Sequence, residues 1–201
     1  MTGAFAQQQK VIGTPTTVFY GLETNNLSFS AKDPALTNEH SVRLTGLTPA
    51  TKYFYSIGSE TETLAAGSEY RFVTSPNAGQ AGPTRVWAFG DFGGLSMGYE
   101  DANTNYVYGE LAVRDSYVQY TGSRQTDLWL PLGDNAYWAG TDLEYQTNFF
   151  YVFGSILRQV AVCPTIGNHE TYSVPPGQRI PYLDIFSFPT NGEAGGVASG
   201  K

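Results

Sequence analysis

Apolar residues recur along this chain in two rhythms, and the change between them falls near residue 80. Before it, four short runs carry strand character: residues 16–22, 41–44, 53–57 and 69–74. Tyr53, Tyr55 and Ile57 alternate on one face, and so do Tyr70, Phe72 and Thr74. Period-two alternation bounded by Gly, Pro and Asn marks half-buried antiparallel strands. Several such strands with turn residues between them predict a β-sandwich. Residues 77–84 are rich in Gly and Pro without apolar periodicity and read as a linker. The expected units are therefore residues 1–76 and 85–201.

After the linker the apolar runs become continuous, at residues 85–89, 127–132 and 160–166. Unbroken runs predict strands covered on both faces. Between the first two, residues 106–124 have helical spacing, with Val107, Leu111 and Val118 on one stripe. Leu143, Phe150, Phe153 and Leu157 form the stripe of a second helix. Strand, helix, strand, helix, strand with Gly at the strand ends predicts parallel strands joined by right-handed crossovers. The fold class is thus an all-β sandwich followed by an α/β unit of βαβαβ order. Asp127 begins a strand, and Asp142 and Glu144 begin a helix, where negative charge is favourable; all three read as structural. Residues 171–201 are turn-rich.

Composition narrows the function classes. The chain has 201 residues, 41% hydrophobic, 14% aromatic and only 14% charged, which excludes charge-driven disorder. A net charge of -7 without a basic run argues against nucleic acid as a partner. No segment has the length of a membrane span. Cys163 is the single cysteine, so no disulfide forms within the chain, and its apolar setting predicts a small buried hydrophobe. His40 lies beside Glu39 without a second ligand in reach and reads as a surface residue. The first seven residues end in a small-x-small pattern but lack an apolar core and a basic start, so no signal peptide is expected in this chain.

In open parallel sheets, ligand sites lie outside the carboxyl ends of the strands. Here those ends carry Gly90-Asp91-Phe92-Gly93, Gly133-Asp134-Asn135-Ala136-Tyr137 and Gly167-Asn168-His169-Glu170. One Gly-Asp after a strand is often no more than a helix cap. Three such ends in register make a convergent cluster of oxygen and imidazole donors. The spacing of Gly90, Gly93 and Gly94 does not form a dinucleotide fingerprint.

These three motifs resemble the first three motifs of the calcineurin-like metallophosphoesterases. Gly93 stands where the generic Asp-x-His motif has its histidine, and Tyr137 offers a phenolate instead. That pattern resembles the purple acid phosphatase branch, in which a fibronectin type III-like module precedes the catalytic domain. Residues 46–55 also resemble the corner between strands E and F of fibronectin type III-like domains, with Tyr53 in the position of the corner tyrosine. In that frame residues 16–22 look like strand C and the later runs like E, F and G. Residues 1–15 contain little that could form strands A and B, so the module is expected to be truncated at its N-terminus.

The resemblance implies an acid phosphatase that hydrolyses phosphate monoesters at a binuclear metal centre. Asp91 and Tyr137 would bind ferric iron, and Asp134 would bridge it to a divalent metal, iron, zinc or manganese. Asn168 would be a ligand of the divalent metal, and His169 would be the catalytic group facing the substrate phosphate. Glu170 would orient a neighbouring ligand from behind. Hard oxygen donors suit such ions, and a bridging carboxylate holds a metal pair roughly 3.5–4 Å apart. The implied partner is a small-molecule phosphate ester, the implied location of the parent protein is extracellular or periplasmic, and the oligomeric state is left open. Later strands of the family bring three further metal-binding histidines, whereas this chain has only His40 and His169. Residues 85–201 are therefore expected to be the N-terminal half of the catalytic domain, and the chain a fragment inactive on its own. Two other readings stay open: a different metallophosphoesterase, such as a phosphodiesterase or nucleotidase, and a non-catalytic binding module.

Overall fold

A computed structural model describes residues 14–37, 39–94, 109–188 and 191. The first sheet contains β1 (Thr14–Gly21), β2 (Phe29–Thr37), β3 (Lys52–Gly58), β4 (Thr63–Ala65) and β5 (Arg71–Val73). Its order is β2-β1-β3-β4, with β5 also pairing β3, and every described pairing is antiparallel. The alternation read from the sequence decides its core. Tyr20, Tyr53, Tyr55 and Tyr70 are buried together, with Ile57, Phe72, Leu44 and Leu47 packed around them. The Tyr53 hydroxyl accepts a 3.1 Å hydrogen bond from the Thr48 amide, closing the corner that residues 46–55 predict.

Two expectations for this unit are corrected. Residues 41–44 form no strand; the strand is β2, just before them, whose side chains are mostly exposed and so give no clear alternation. Leu44 instead lies against the tyrosine cluster as part of an irregular covering segment. Among the described residues the strands form one antiparallel sheet with a covering segment, consistent with the incomplete sandwich expected. His40 is not a free surface residue: its Nδ1 pairs with Asp33 Oδ2 at 3.1 Å, and its side chain is only 19% exposed.

The second unit holds a parallel sheet of β6 (Val86–Phe89), β7 (Leu128–Pro131) and β8 (Ala161–Val162), in the order β6-β7-β8. Helix α1 (Gly109–Thr121) connects the first two strands. The second crossover is one helical run made of α2 (Asp142–Glu144), a π-helical turn (Tyr145–Phe150) and α3 (Tyr151–Leu157). It starts at Thr141 because Thr141 and Glu144 form a capping box that satisfies the first amides.

The core between sheet and helices is aromatic. Trp129, Phe149 and Phe153 have no exposed surface, Trp87 stacks on Tyr117 at 3.8 Å, and Trp129 stacks on Phe149 at 5.3 Å. Burying each such side chain contributes about 1.5–3 kcal/mol.

The predicted strand order and direction are present, but several details differ. The π turn shifts the phase of the second helix, so Tyr145, Phe149, Val152, Phe153 and Ile156 point inward while Leu143 is 71% exposed. In α1, Leu111 and Tyr117 pack on the core and Val118 faces out; Val107 lies outside the described residues. Of the third apolar run only Ala161–Val162 joins the ladder, with one further bridge at Thr165, and Cys163 is exposed, not buried. The described helices cover one sheet face only, so on β6 Val86 is 46% exposed while Trp87 and Phe89 point into the core. Part of the turn-rich tail also packs: helix α4 (Pro181–Ile185) brings Ile180, Tyr182 and Ile185 into the same core.

The two units touch where the Tyr55 hydroxyl donates to the Arg158 carbonyl at 3.0 Å and the Arg158 guanidinium lies over the Tyr70 ring at 5.0 Å. Among the described residues no helix is long and apolar enough to cross a membrane.

Candidate metal centre

The ladder between β6 and β7 does not stop at the last strand residues. Leu132 donates to the Phe89 carbonyl, Asp91 to Gly133, Gly93 to Asp134 and Tyr137 to Gly93, the last at 2.7 Å. These bonds lock two strand-end loops side by side. Asp91 and Asp134 then turn in the left-handed region, at φ +56° and +52°. Aspartate tolerates this better than most side chains, and such strained residues gather at functional sites. Gly93 has to be glycine. A Cβ there would stand 2.2 Å from the Asn135 carbonyl carbon and oxygen, so no histidine fits the place it holds in the generic motif. At Gly167 a Cβ would stand 2.2 Å from Asp134 Oδ1, so the third loop passes directly against the second.

This backbone brings four of the predicted residues together. The Tyr137 hydroxyl lies 2.9 Å from Asp91 Oδ1 and 3.0 Å from Asp134 Oδ2. Asp134 Oδ1 accepts from the His169 amide at 3.0 Å. The His169 ring packs on Tyr137 at 4.3 Å, and its Nδ1 lies 2.7 Å from the Trp138 carbonyl. A carbonyl only accepts, so Nδ1 carries the hydrogen and Nε2 is the nitrogen available for chemistry. Asn168 is adjacent, but its side-chain amide donates to the Tyr172 hydroxyl at 2.7 Å instead of meeting the carboxylates. That contact engages the amide nitrogen and leaves the carbonyl oxygen as its donor to a cation.

The electrostatics of the cluster fit a cation. One phenolic hydrogen faces two carboxylates and serves only one at a time. Burial, then hydrogen bonding to Asp91 and Asp134, pushes the Tyr137 hydroxyl well above the ordinary tyrosine value. Without a cation the phenol therefore keeps its proton. A hard trivalent ion among these oxygens offsets the carboxylate charge and reverses that preference. Among the described residues no three His, Cys, Asp or Glu side chains gather as a metal site. The cluster contains two carboxylates, and its remaining donors are a phenol and an amide.

Glu170 lies behind the three loops. It is fully buried and accepts from the amides of Asn135 at 2.6 Å, Gly167 at 2.5 Å and Asp134 at 3.1 Å. One carboxylate thus ties the second strand end to the third. Asn148, which the sequence reading passed over, and Glu144, which it read as structural, hold the same loops. Asn148, fully buried, donates to the carbonyls of Gly93 at 2.8 Å and Tyr137 at 2.9 Å. Glu144 caps its helix as expected, but its carboxylate also accepts from the amides of Trp138 and Ala139. The signal for Asn148 was available: a lone amide beside Phe149 and Phe150 on a buried helix face requires partners.

Comparison with known proteins supplies two likenesses. Residues 4–74 match the family model of the purple acid phosphatase N-terminal domain. The fold is similar to that of a purple acid phosphatase from seeds of yellow lupin (Lupinus luteus), with a TM-score of 0.58 and 22% sequence identity. That likeness covers 82% of this chain and 32% of the lupin chain, so the chain spans about a third of that relative. No curated protein matches the sequence. The resemblance read from the motifs is met from two sides: in sequence over the N-terminal module, and in fold over most of the chain.

Proposed function

We propose that this chain carries the ferric half of an acid phosphatase centre, with Asp91, Tyr137 and Asp134 as ligands. The supporting observation is the convergence of two strand-end carboxylates on one phenol. On this reading Asp134 would also hold a divalent ion, iron, zinc or manganese, and the Asn168 carbonyl would be a further donor to that ion. When bound, the metal pair would polarise the phosphoryl oxygens of a phosphate monoester and activate water.

The chain's own residues then position and neutralise. Tyr137 and Asp91 present hard oxygens whose charge matches a trivalent ion. The backbone turn at Asp134 sets one carboxylate oxygen toward Tyr137 and the other toward the His169 amide. His169, held through Nδ1, directs Nε2 outward, where it would meet the phosphate or protonate the leaving oxygen. Glu170 keeps the three loops in register.

We further propose that the 201-residue chain turns over little by itself, because it has no imidazole besides His40 and His169. Loaded with iron and zinc, it should hydrolyse p-nitrophenyl phosphate at close to the rate of metal in buffer. Turnover at an ordinary enzymatic rate with two bound metals would overturn this. The absence of a cluster of three His, Cys, Asp or Glu side chains among the described residues favours a second reading, a non-catalytic module. Metal analysis separates the two: stoichiometric iron that Asp134→Ala removes supports the centre, and no uptake by the wild-type chain supports the module.

A further inference from the structure

We infer that Glu144 and Asn148 are positioning residues that set the mutual orientation of Tyr137 and His169, by gripping the peptide unit between Tyr137 and Trp138. This rests on the reading of Tyr137 as a ligand and His169 as the group facing phosphate. Asn148 Nδ2 donates to the Tyr137 carbonyl at 2.9 Å, and Glu144 Oε1 accepts from the Trp138 amide. Both polar ends of one peptide are therefore held by one helix face. The two residues are four apart, Glu144 just before the π-helical turn and Asn148 within it, a distortion that recurs at functional sites.

The grip reaches both chemical groups. Asn148 also holds the Gly93 carbonyl at 2.8 Å, so one amide ties the loop of Asp91 to the loop of Tyr137. On the other side, the Trp138 carbonyl meets His169 Nδ1 at 2.7 Å, so fixing residue 138 fixes the imidazole. The Tyr137 and His169 rings lie 4.3 Å apart as a result. Glu144 goes beyond its capping role. Its second oxygen accepts from Thr141 at 2.9 Å and Ala139 at 3.1 Å, while the first serves residue 138.

The discriminating control is Thr141, which takes part in the capping box without touching residue 138. If Glu144 only caps the helix, Glu144→Ala and Thr141→Ala behave alike. If it positions the site, they differ. In the metal-free protein, the proton–proton contact between the Tyr137 and His169 rings should be seen by NMR in wild type and Thr141→Ala, and lost in Glu144→Ala with helix content unchanged. Glu144→Gln keeps the shape but gives up an acceptor, and should weaken the contact if Glu144→Ala does not fold. Ferric affinity should fall about tenfold or more in Glu144→Ala, the usual effect of removing an outer support, and stay unchanged in Thr141→Ala. Retention of the ring contact in both Glu144 variants, or equal loss in Thr141→Ala, overturns the inference. Loss in Glu144→Ala alone, in a protein that takes up no iron, upholds the positioning role and overturns the metal reading instead.

Discussion

Asp134 combines three constraints at one residue: a left-handed backbone, a carboxylate shared between a phenol and an amide, and a glycine pressed against it from the next loop. Together they restrict how the side chain can be oriented. Glu170 shows the supporting side of the same arrangement. Its carboxylate accepts from three backbone amides in full burial, and hydrogen bonds to a charged acceptor contribute about 1.5–3 kcal/mol each. Glu170→Gln places an amide donor against these backbone donors. We expect it to lower stability by at least about 2 kcal/mol, read as a lower urea midpoint at unchanged slope. Gly93→Ala tests the close approach of the first two loops. A Cβ there meets Asn135 backbone, so the variant should lose about 1–3 kcal/mol in the same assay, while full stability would show that the loops sit further apart.

Among the elements, what could be read from sequence follows how locally each is determined. Strands β1, β3, β6 and β7 were legible because their apolar positions are set by their own period, and the Tyr53 corner because its partner is five residues away. Strand β2 was not legible: its side chains show no clear alternation, and Phe29, although stacked on Tyr20, is largely exposed, as is Leu36. Of the second helix's stripe, Phe150, Phe153 and Leu157 pack on the core as expected and only Leu143 is misplaced, because a π turn changes the phase that a 3.6-residue period assumes. The three strand-end motifs stood out as local words, whereas the bond from Asn148 to Gly93 is long-range and is marked in the sequence only by an amide in an apolar helix face.

Strand β2 also carries a pH-dependent contact. The Ala35 amide, and then His40, hold the Asp33 carboxyl below its ordinary value. A carboxyl with a depressed folded value adds stability that is present above its unfolded pKa, about 3.9, and is lost as pH falls through the folded value. Asp33→Asn should therefore destabilise at neutral pH, and its deficit against wild type should shrink below about pH 4. A deficit that stays constant from neutral pH to pH 3 would contradict this.

At the scale of the molecule, a β module and an α/β unit meet through Tyr55, Tyr70 and Arg158, while the donor cluster lies at the carboxyl ends of the parallel strands. The sheet that presents the donors is covered on one face by the described helices, and the rigidity of its ends comes from hydrogen bonds between loops. The central claim is that these ends are built for a ferric ion bound by a tyrosine. Its most direct test is the visible absorption of the iron-loaded 201-residue chain, compared with Tyr137→Phe at equal iron content. The account predicts a tyrosinate-to-iron band in the wild-type chain that vanishes in Tyr137→Phe. Iron bound without such a band, or a band that survives the loss of the phenol, would contradict it.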